Sequence, residues 1–217
     1  MTGRLAALAL TVLTAFPARA CDTALLLSID VSSSIDVGEY RIQVDGLADA
    51  LADPEIVDAL VQGQVALAVM QWSGVGAQEL VMGWERMTGP AAVAGFGRRA
   101  RQMERAFVNS DTAIGDAVLF GLGQFGPVAD CTRAVIDISG DGTENAGGST
   151  KAARQRAERQ GVIINGIAIE SIGVAVTSFY RLAVITRHGF VVTARGHLDY
   201  PRAIKAKIKR EVTKVTG

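Results

Sequence analysis

The sequence is poor in several residue types. Its 217 residues include two cysteines, two histidines, two tryptophans and five prolines, and aromatic residues make up 6%. Two cysteines exclude a disulfide-dense scaffold and a cysteine-built zinc cluster. The histidines, His188 and His197, both fall late, and neither has a motif-spaced serine or cysteine partner. His188 beside Gly189 reads as a turn residue. There is no P-loop and no nucleophile elbow. Lys+Arg and Asp+Glu both number 22, so no basic excess argues for a nucleic-acid partner. Beyond residue 20 no apolar run is long enough to span a bilayer, so no transmembrane segment is expected. Repeats, linkers and low-complexity stretches are absent.

Two literal motif matches fail on context. Gly121-Leu122-Gly123-Gln124-Phe125-Gly126 has dinucleotide-site spacing but lies at the end of a helix and before a strand, the reverse of the required order. Asp30-Val31-Ser32-Ser33-Ser34-Ile35 opens like a calcium loop. Its sixth position, however, is Ile35 rather than glycine, and its twelfth is Arg41 rather than glutamate.

What is present is a globular composition, 49% apolar and 20% charged, in a length that suits one domain. The first twenty residues stand apart. Arg4 forms a small basic region, Leu5 to Phe16 is apolar, and Ala18-Arg19-Ala20 is a small-residue cleavage pattern. Residues 1–20 are therefore expected to be a signal peptide and residues 21–217 the domain, exported to the periplasm or beyond a bacterial cell. Without Arg4 and Arg19, 20 basic side chains face 22 acidic ones. Late lysines (Lys205, Lys207, Lys209, Lys214, with Arg210) read as a solvated helix face near a C-terminus, where the helix dipole favours cations; a membrane-surface patch is the rival reading.

Hydrophobic periodicity orders the chain. A strand runs over Ala24–Ile29 to Asp30, and Asp36 caps a helix to Leu51. Pro54 opens a short helix, Val65–Trp72 and Glu79–Met87 form a hairpin, and Pro90 starts a helix to Arg105. A helix over Ala113–Phe125 precedes a strand over Arg133–Ser139, a helix over Thr150–Gln160 and a strand over Val162–Ile169. A helix near Ser178–Ile185, a strand over Phe190–Thr193 and a helix from Tyr200 to Val215 complete the order. The order implies an α/β, Rossmann-like, doubly wound and mainly parallel sheet with one antiparallel edge strand. Trp72 and Trp84, on the hairpin strands, read as core or cross-strand packing, with a partner surface as the rival.

Two strands end in aspartate followed by small or hydroxyl residues: Asp30-Val31-Ser32-Ser33-Ser34 and Ser139-Gly140-Asp141-Gly142. In an open α/β sheet, ligands bind beyond the carboxyl ends of the strands, where strand order reverses. Alternate residues of an extended loop point one way, so Asp30, Ser32 and Ser34 can converge. An all-oxygen set with two carboxylates suits a hard ion that keeps its waters. Mg²⁺ is the first choice, with Mn²⁺ or Ca²⁺ behind it. Read separately, the serines could be only a loop and cap, and Asp141-Gly142 only a turn.

The cysteines supply a separate clue. Cys21 lies nine residues before Asp30 and Cys131 ten before Asp141. If the two aspartates end adjacent parallel strands, the cysteines meet at the opposite ends. A bridge is the expectation in an oxidising compartment, with two unpaired thiols as the alternative.

Together these motifs resemble the metal-ion-dependent adhesion site (MIDAS) of von Willebrand factor A (VWA) domains, and the likeness extends to a secreted bacterial subgroup of them. Asp30, Ser32 and Ser34 match the Asp-x-Ser-x-Ser element. Thr112 in Thr112-Ala113-Ile114-Gly115-Asp116-Ala117 is similar to the threonine element, with Ser110 as the alternative, and Asp141-Gly142 is similar to the last. The resemblance implies a metal held by Asp30, Ser32, Ser34, Thr112 and Asp141, with one coordination position open to an Asp or Glu of a partner protein. It implies an adhesion-type binding module rather than an enzyme. A metal-dependent hydrolase such as a phosphatase, and an assembly protein with a merely stabilising metal, are the rival readings. No base or nucleophile is placed by motif, Ser33 and Asp111 being only nearby polar groups.

Overall fold

The computed structural model describes residues 21–108, 110–170 and 175–213. The expected signal peptide, residues 1–20, lies outside them. The first strand, β1 (Thr23–Asp30), is buried along its whole length, as a near-continuous apolar run predicts for a central strand. Helix α1 (Val37–Ala50) follows, then α2 (Pro54–Gln62), β2 (Ala66–Trp72), β3 (Gln78–Arg86), α3 (Pro90–Arg101) and α4 (Ile114–Leu122). The second half is β4 (Arg133–Gly140), α5 (Thr150–Arg159), β5 (Ile163–Ile169), α6 (Val176–Phe179), β6 (Val191–Ala194) and α7 (Tyr200–Val212). One six-stranded sheet results, in the order β3-β2-β1-β4-β5-β6, parallel except for β3. This is the expected doubly wound sheet with one antiparallel edge.

Alternation along the central strands divides the core. Leu25, Leu27 and Ile29 face one layer with α1, α3 and α7, while Leu26 and Ile136 face the other with α4, α5 and α6. Local chemistry sets the helix starts. Asp36 caps α1 in a reciprocal capping box: its carboxylate accepts from Glu39 N, and Glu39 accepts from Asp36 N. Asp53 caps α2 ahead of Pro54.

Two expectations need correction, and a third, the helix near Ser178–Ile185, is present in a modified form. Helix α3 ends at Arg101, not Arg105, because the following residues serve other contacts. Met103 O accepts from Tyr40 Oη, and Arg105 reaches the loop after β1. The helix near Ser178 is a single turn, α6, continued as a wide π-turn over Tyr180–Val184. That turn seats the Tyr180 ring against Gly166, where a side chain would collide with it. Finally, Lys207 is not solvated. It is fully buried, with Nζ 2.5 Å from Asp137 and 2.6 Å from Glu211. Lys205 and Lys209 do lie on the surface, pairing with Asp53, the cap of α2, and with Glu55 in its first turn.

Cys21 and Cys131 are bridged, enclosing 110 residues of separation at the amino ends of β1 and β4. In the chain-entropy account, closing so long a loop stabilises the fold by about 4–5 kcal/mol.

Candidate metal centre at the switch point

Strand β1 connects outward to β2 on one side and neighbours β4 on the other, so strand order reverses between β1 and β4. Ile29 pairs with Ser139, which sets Asp30 beside Gly140 and the start of the Asp141 loop. Gly140 is required there. A Cβ on it would come within 2.8 Å of Asp30 Oδ2 and 2.6 Å of Tyr180 Oη.

The loop after β1 is pinned on every side. Val31 N donates to Trp72 O (2.9 Å), Ser33 N to Ser110 O (2.9 Å), and Ile35 N to Ser32 O (3.0 Å). Arg105 Nη2 donates to the carbonyls of Val31 and Ser32 (2.9 and 2.8 Å). Ile35 is buried as an apolar anchor, while Ser33 and Ser34 remain exposed.

Four of the expected residues are joined in sequence. Asp30 Oδ1 accepts from Ser32 N at 2.7 Å. Ser32 Oγ and Ser34 Oγ lie 3.1 Å apart, and Ser34 Oγ donates to Asp141 Oδ1 at 2.6 Å. Thr112 stands beside this chain, at the level of Gly142: a Cβ on that glycine would lie 3.9 Å from Thr112 Oγ1. Its placement comes from the Asp141 loop. Thr112 N donates to Asn145 Oδ1 (2.8 Å), and Thr112 O accepts from the backbone of Asn145 and Ala146. Ser110 has a different task, bridging the loops after β1 and β2: its carbonyl accepts from Ser33 N and its hydroxyl from Gly74 N.

The electrostatics are strained. Burial pushes the Asp30 carboxyl up to about 7, and the charge of Asp141 adds to the effect; the backbone and hydroxyl of Ser32 and the Asp141 backbone oppose it. Asp30 Oδ2 is buried without a hydrogen-bond partner. A buried carboxylate with an orphaned oxygen, surrounded by hydroxyls, fits a small divalent cation, which would supply the missing positive charge. Among the described residues no three His, Cys, Asp or Glu side chains cluster as a metal site. The candidate set of two carboxylates and three hydroxyls is poor in those types.

Several contributors had no motif. Glu144 ties the starts of two helices together, accepting from Gly115 N (3.0 Å), Thr150 N (3.2 Å) and Thr150 Oγ1 (2.5 Å). His197 places Nε2 3.5 Å from both Asp141 Oδ2 and Glu39 Oε1. Burial works against its charge, but Asp141 and Glu39 outweigh this and hold the imidazole above its ordinary value. Its signal was topological: β6 is parallel to β1 and β4, so the residues after it return to the same face. His188 is an exposed turn residue, as expected. Trp72 is fully buried, and Trp84 donates to Gln124 O and packs on Phe125, the packing roles expected of them.

Residues 20–216 match the family described as "Protein of unknown function (DUF1194)". No curated protein matches. Among solved structures, the chain is similar to proximal thread matrix protein 1 from the mussel byssus, described with a zinc-occupied MIDAS motif: 17% identity, TM-score 0.65, 89% of this chain and 46% of that one. It is similar to a von Willebrand factor type A protein from Catenulispora acidiphila: 16% identity, TM-score 0.60, 88% and 42%. The pilus adhesin SpaC from Lactobacillus rhamnosus GG also superposes, at 10% identity and TM-score 0.63, over 88% and 30%. This chain thus spans less than half the length of each of these three proteins. At such identities the likeness establishes the fold, which is of the von Willebrand A type.

Proposed function

This chain belongs to the DUF1194 family and has a von Willebrand A-type fold, and on that premise we propose that it is an exported, metal-dependent protein-binding module. Asp30, Ser32, Ser34, Thr112 and Asp141 hold one divalent cation, and an Asp or Glu of a partner protein completes its coordination. The observation that carries this reading is Asp30: fully buried, at the switch point, with one oxygen unpartnered. The cation supplies an open coordination position of fixed positive charge. The protein's own part is to preorganise the ligands. Arg105 and Ser110 hold the β1 loop, and Asn145 holds Thr112.

The oxygen set favours Mg²⁺, with Mn²⁺ or Ca²⁺ behind it. The zinc described in the mussel protein's MIDAS supports a divalent ion in such a site without fixing which. Export through a signal peptide at residues 1–20 is supported by the Cys21–Cys131 bridge. No described helix is long and apolar enough to cross a membrane. No motif places a base or nucleophile for a hydrolytic reading, and the near neighbours of His197 Nε2 are the carboxylates of Asp141 and Glu39.

Calorimetric titration with MgCl₂, MnCl₂ and CaCl₂ tests the site, with affinity capture from periplasmic extract in Mg²⁺ or EDTA alongside. Saturable binding of one ion, lost in Asp30→Ala, is expected. Partner capture that persists undiminished in EDTA would refute the reading.

A further inference from the structure

Two glycines on neighbouring strands clear a path for one side chain. On β5, a Cβ at Gly166 would lie 2.7 Å from Tyr180 Cδ1. On β4, a Cβ at Gly140 would lie 2.6 Å from Tyr180 Oη. The ring therefore lies across β5 and β4 with its hydroxyl leading, and both positions must lack a side chain for it to do so. It starts from the wide π-turn over Tyr180–Val184, a backbone form that is frequent at functional sites. Beyond β4 comes β1, and there the hydroxyl meets Asp30: the same Cβ on Gly140 would lie 2.8 Å from Asp30 Oδ2. The two oxygens thus stand side by side over the bare Cα of Gly140. Tyr180 is fully buried, and neither its Oη nor Asp30 Oδ2 has a hydrogen-bond partner among the described residues.

A buried hydroxyl without a partner is costly, so packing alone would favour phenylalanine at this position. A phenol keeps its proton at neutral pH, and burial strengthens that tendency here, so the hydroxyl is a donor beside an acceptor. The other oxygen of Asp30 is already held, by Ser32 N at 2.7 Å. We propose that Tyr180 is a positioning residue of the metal centre. Its hydroxyl donates to Asp30 Oδ2 when a cation holds that carboxylate ionised, a charge-assisted bond that fixes the plane of the carboxylate. Ser32 N and Tyr180 Oη then engage one oxygen each, and the carboxylate keeps lone pairs for the ion. Contacts of this outer kind orient a ligand and raise the affinity of its site. The inference rests on the metal-dependent reading above, and it adds a residue that belongs to none of the motif elements.

The test compares the full mature protein with Tyr180→Phe, which keeps the ring against Gly166 and loses only the oxygen. Calorimetric titration with MgCl₂ should show an affinity about tenfold or more lower in the variant. Urea unfolding in EDTA should show the variant at least as stable as the wild type, because the lost hydroxyl is one that burial leaves without a partner. Tyr200→Phe removes another buried phenol hydroxyl, at the start of α7, and should leave the Mg²⁺ affinity unchanged. Ultraviolet resonance Raman spectra of the wild type should show one tyrosine becoming a stronger hydrogen-bond donor as MgCl₂ is added, a change missing in Tyr180→Phe. A Mg²⁺ affinity within about twofold of wild type in Tyr180→Phe would overturn the assignment and leave the metal reading intact. So would a variant that loses affinity and stability in EDTA together, the mark of a packing role. Should the variant fail to fold, wild-type tyrosine bands unmoved by Mg²⁺ would overturn the assignment by themselves. No uptake of Mg²⁺, Mn²⁺ or Ca²⁺ by the wild type would instead overturn the metal reading, and this inference with it.

Discussion

Two buried acidic clusters lie at neighbouring levels of the same sheet, and in only one of them does a buried lysine reach both carboxylates. Beneath α7, Asp137 and Glu211 share the buried ammonium of Lys207, and Asn165 Nδ2 donates to Glu211 Oε1 at 2.8 Å. Burial and the Glu211 charge hold the Asp137 carboxyl well above the usual carboxylate range, and Lys207 counters them. At the carboxyl end of β1 and β4, Asp30 and Asp141 have hydroxyls and backbone amides instead; of the two, His197 touches Asp141, which it shares with Glu39 as a neighbour. The first cluster is closed by covalently attached charge and reads as a fastening between α7 and the sheet. On the function proposed above, charge arriving from solution completes the second. The contrast would then separate a structural use of buried carboxylates from a binding one.

The sharpest way to break this comparison is Lys207→Met. It leaves two carboxylates buried without a counter-charge, and about 3–5 kcal/mol of stability should be lost in urea unfolding. A loss below about 1 kcal/mol would mean that the α7 cluster tolerates missing charge as the other does, and the distinction would collapse.

Asp30→Asn should act in the opposite direction. In EDTA, Asp30 binds its proton more tightly folded than unfolded. Its contribution is therefore fully present below the ordinary carboxylate value near 4 and is lost as pH rises through about 7. The loss is at most about 4 kcal/mol, reduced by any water that reaches the site. Asp137 is shifted in the same direction, so the readout is the difference between wild type and Asp30→Asn: the variant should be the more stable at pH 8 and show the shallower pH dependence.

Adding Mg²⁺ at roughly a hundred times its dissociation constant should stabilise the wild type by about 3 kcal/mol in thermal melts. The gain should disappear in Asp30→Ala and shrink in Ser34→Ala. An unchanged melting temperature would argue against the site. The smallest effect is expected from Arg86→Ala, which breaks a surface pair in which Arg86 Nη2 lies 2.9 Å from both oxygens of Asp130. A change of about 1 kcal/mol or less is expected in the same melts, because water already screens both partners. A loss matching that of Lys207→Met would show that charge pairing, rather than burial, governs both clusters.

Much of this was legible from the chain. The apolar run into Asp30, the cap at Asp36, the helix start at Pro54 and the cysteine spacing each depend on local periodicity, local chemistry or strand length, and each is realised in the fold. The approach of Asp30, Ser32, Ser34 and Asp141 followed from the same strand-end spacing. Lys207 was misread because its neighbours in sequence are solvated cations. Nothing local reveals that this one position of α7 faces Asp137, 70 residues earlier. His197 and Glu144 were missed for a related reason: each acts on a loop far away in sequence, and neither belongs to a spacing pattern. The early end of α3 was hidden because the helix-like pattern through Arg105 gives way to tertiary hydrogen bonds made by Tyr40 and Arg105.

The bridge between Cys21 and Cys131 has a mechanical consequence. Cys21 stands two residues ahead of β1 and Cys131 two ahead of β4, both at the end of the sheet opposite the candidate metal centre. The bridge therefore fastens the feet of the two strands whose far ends carry Asp30 and Asp141. Fraying of β1 from its amino end would have to carry β4 with it, so the register that sets Asp30 beside Gly140 is held from the opposite end as well as by the ladder between them.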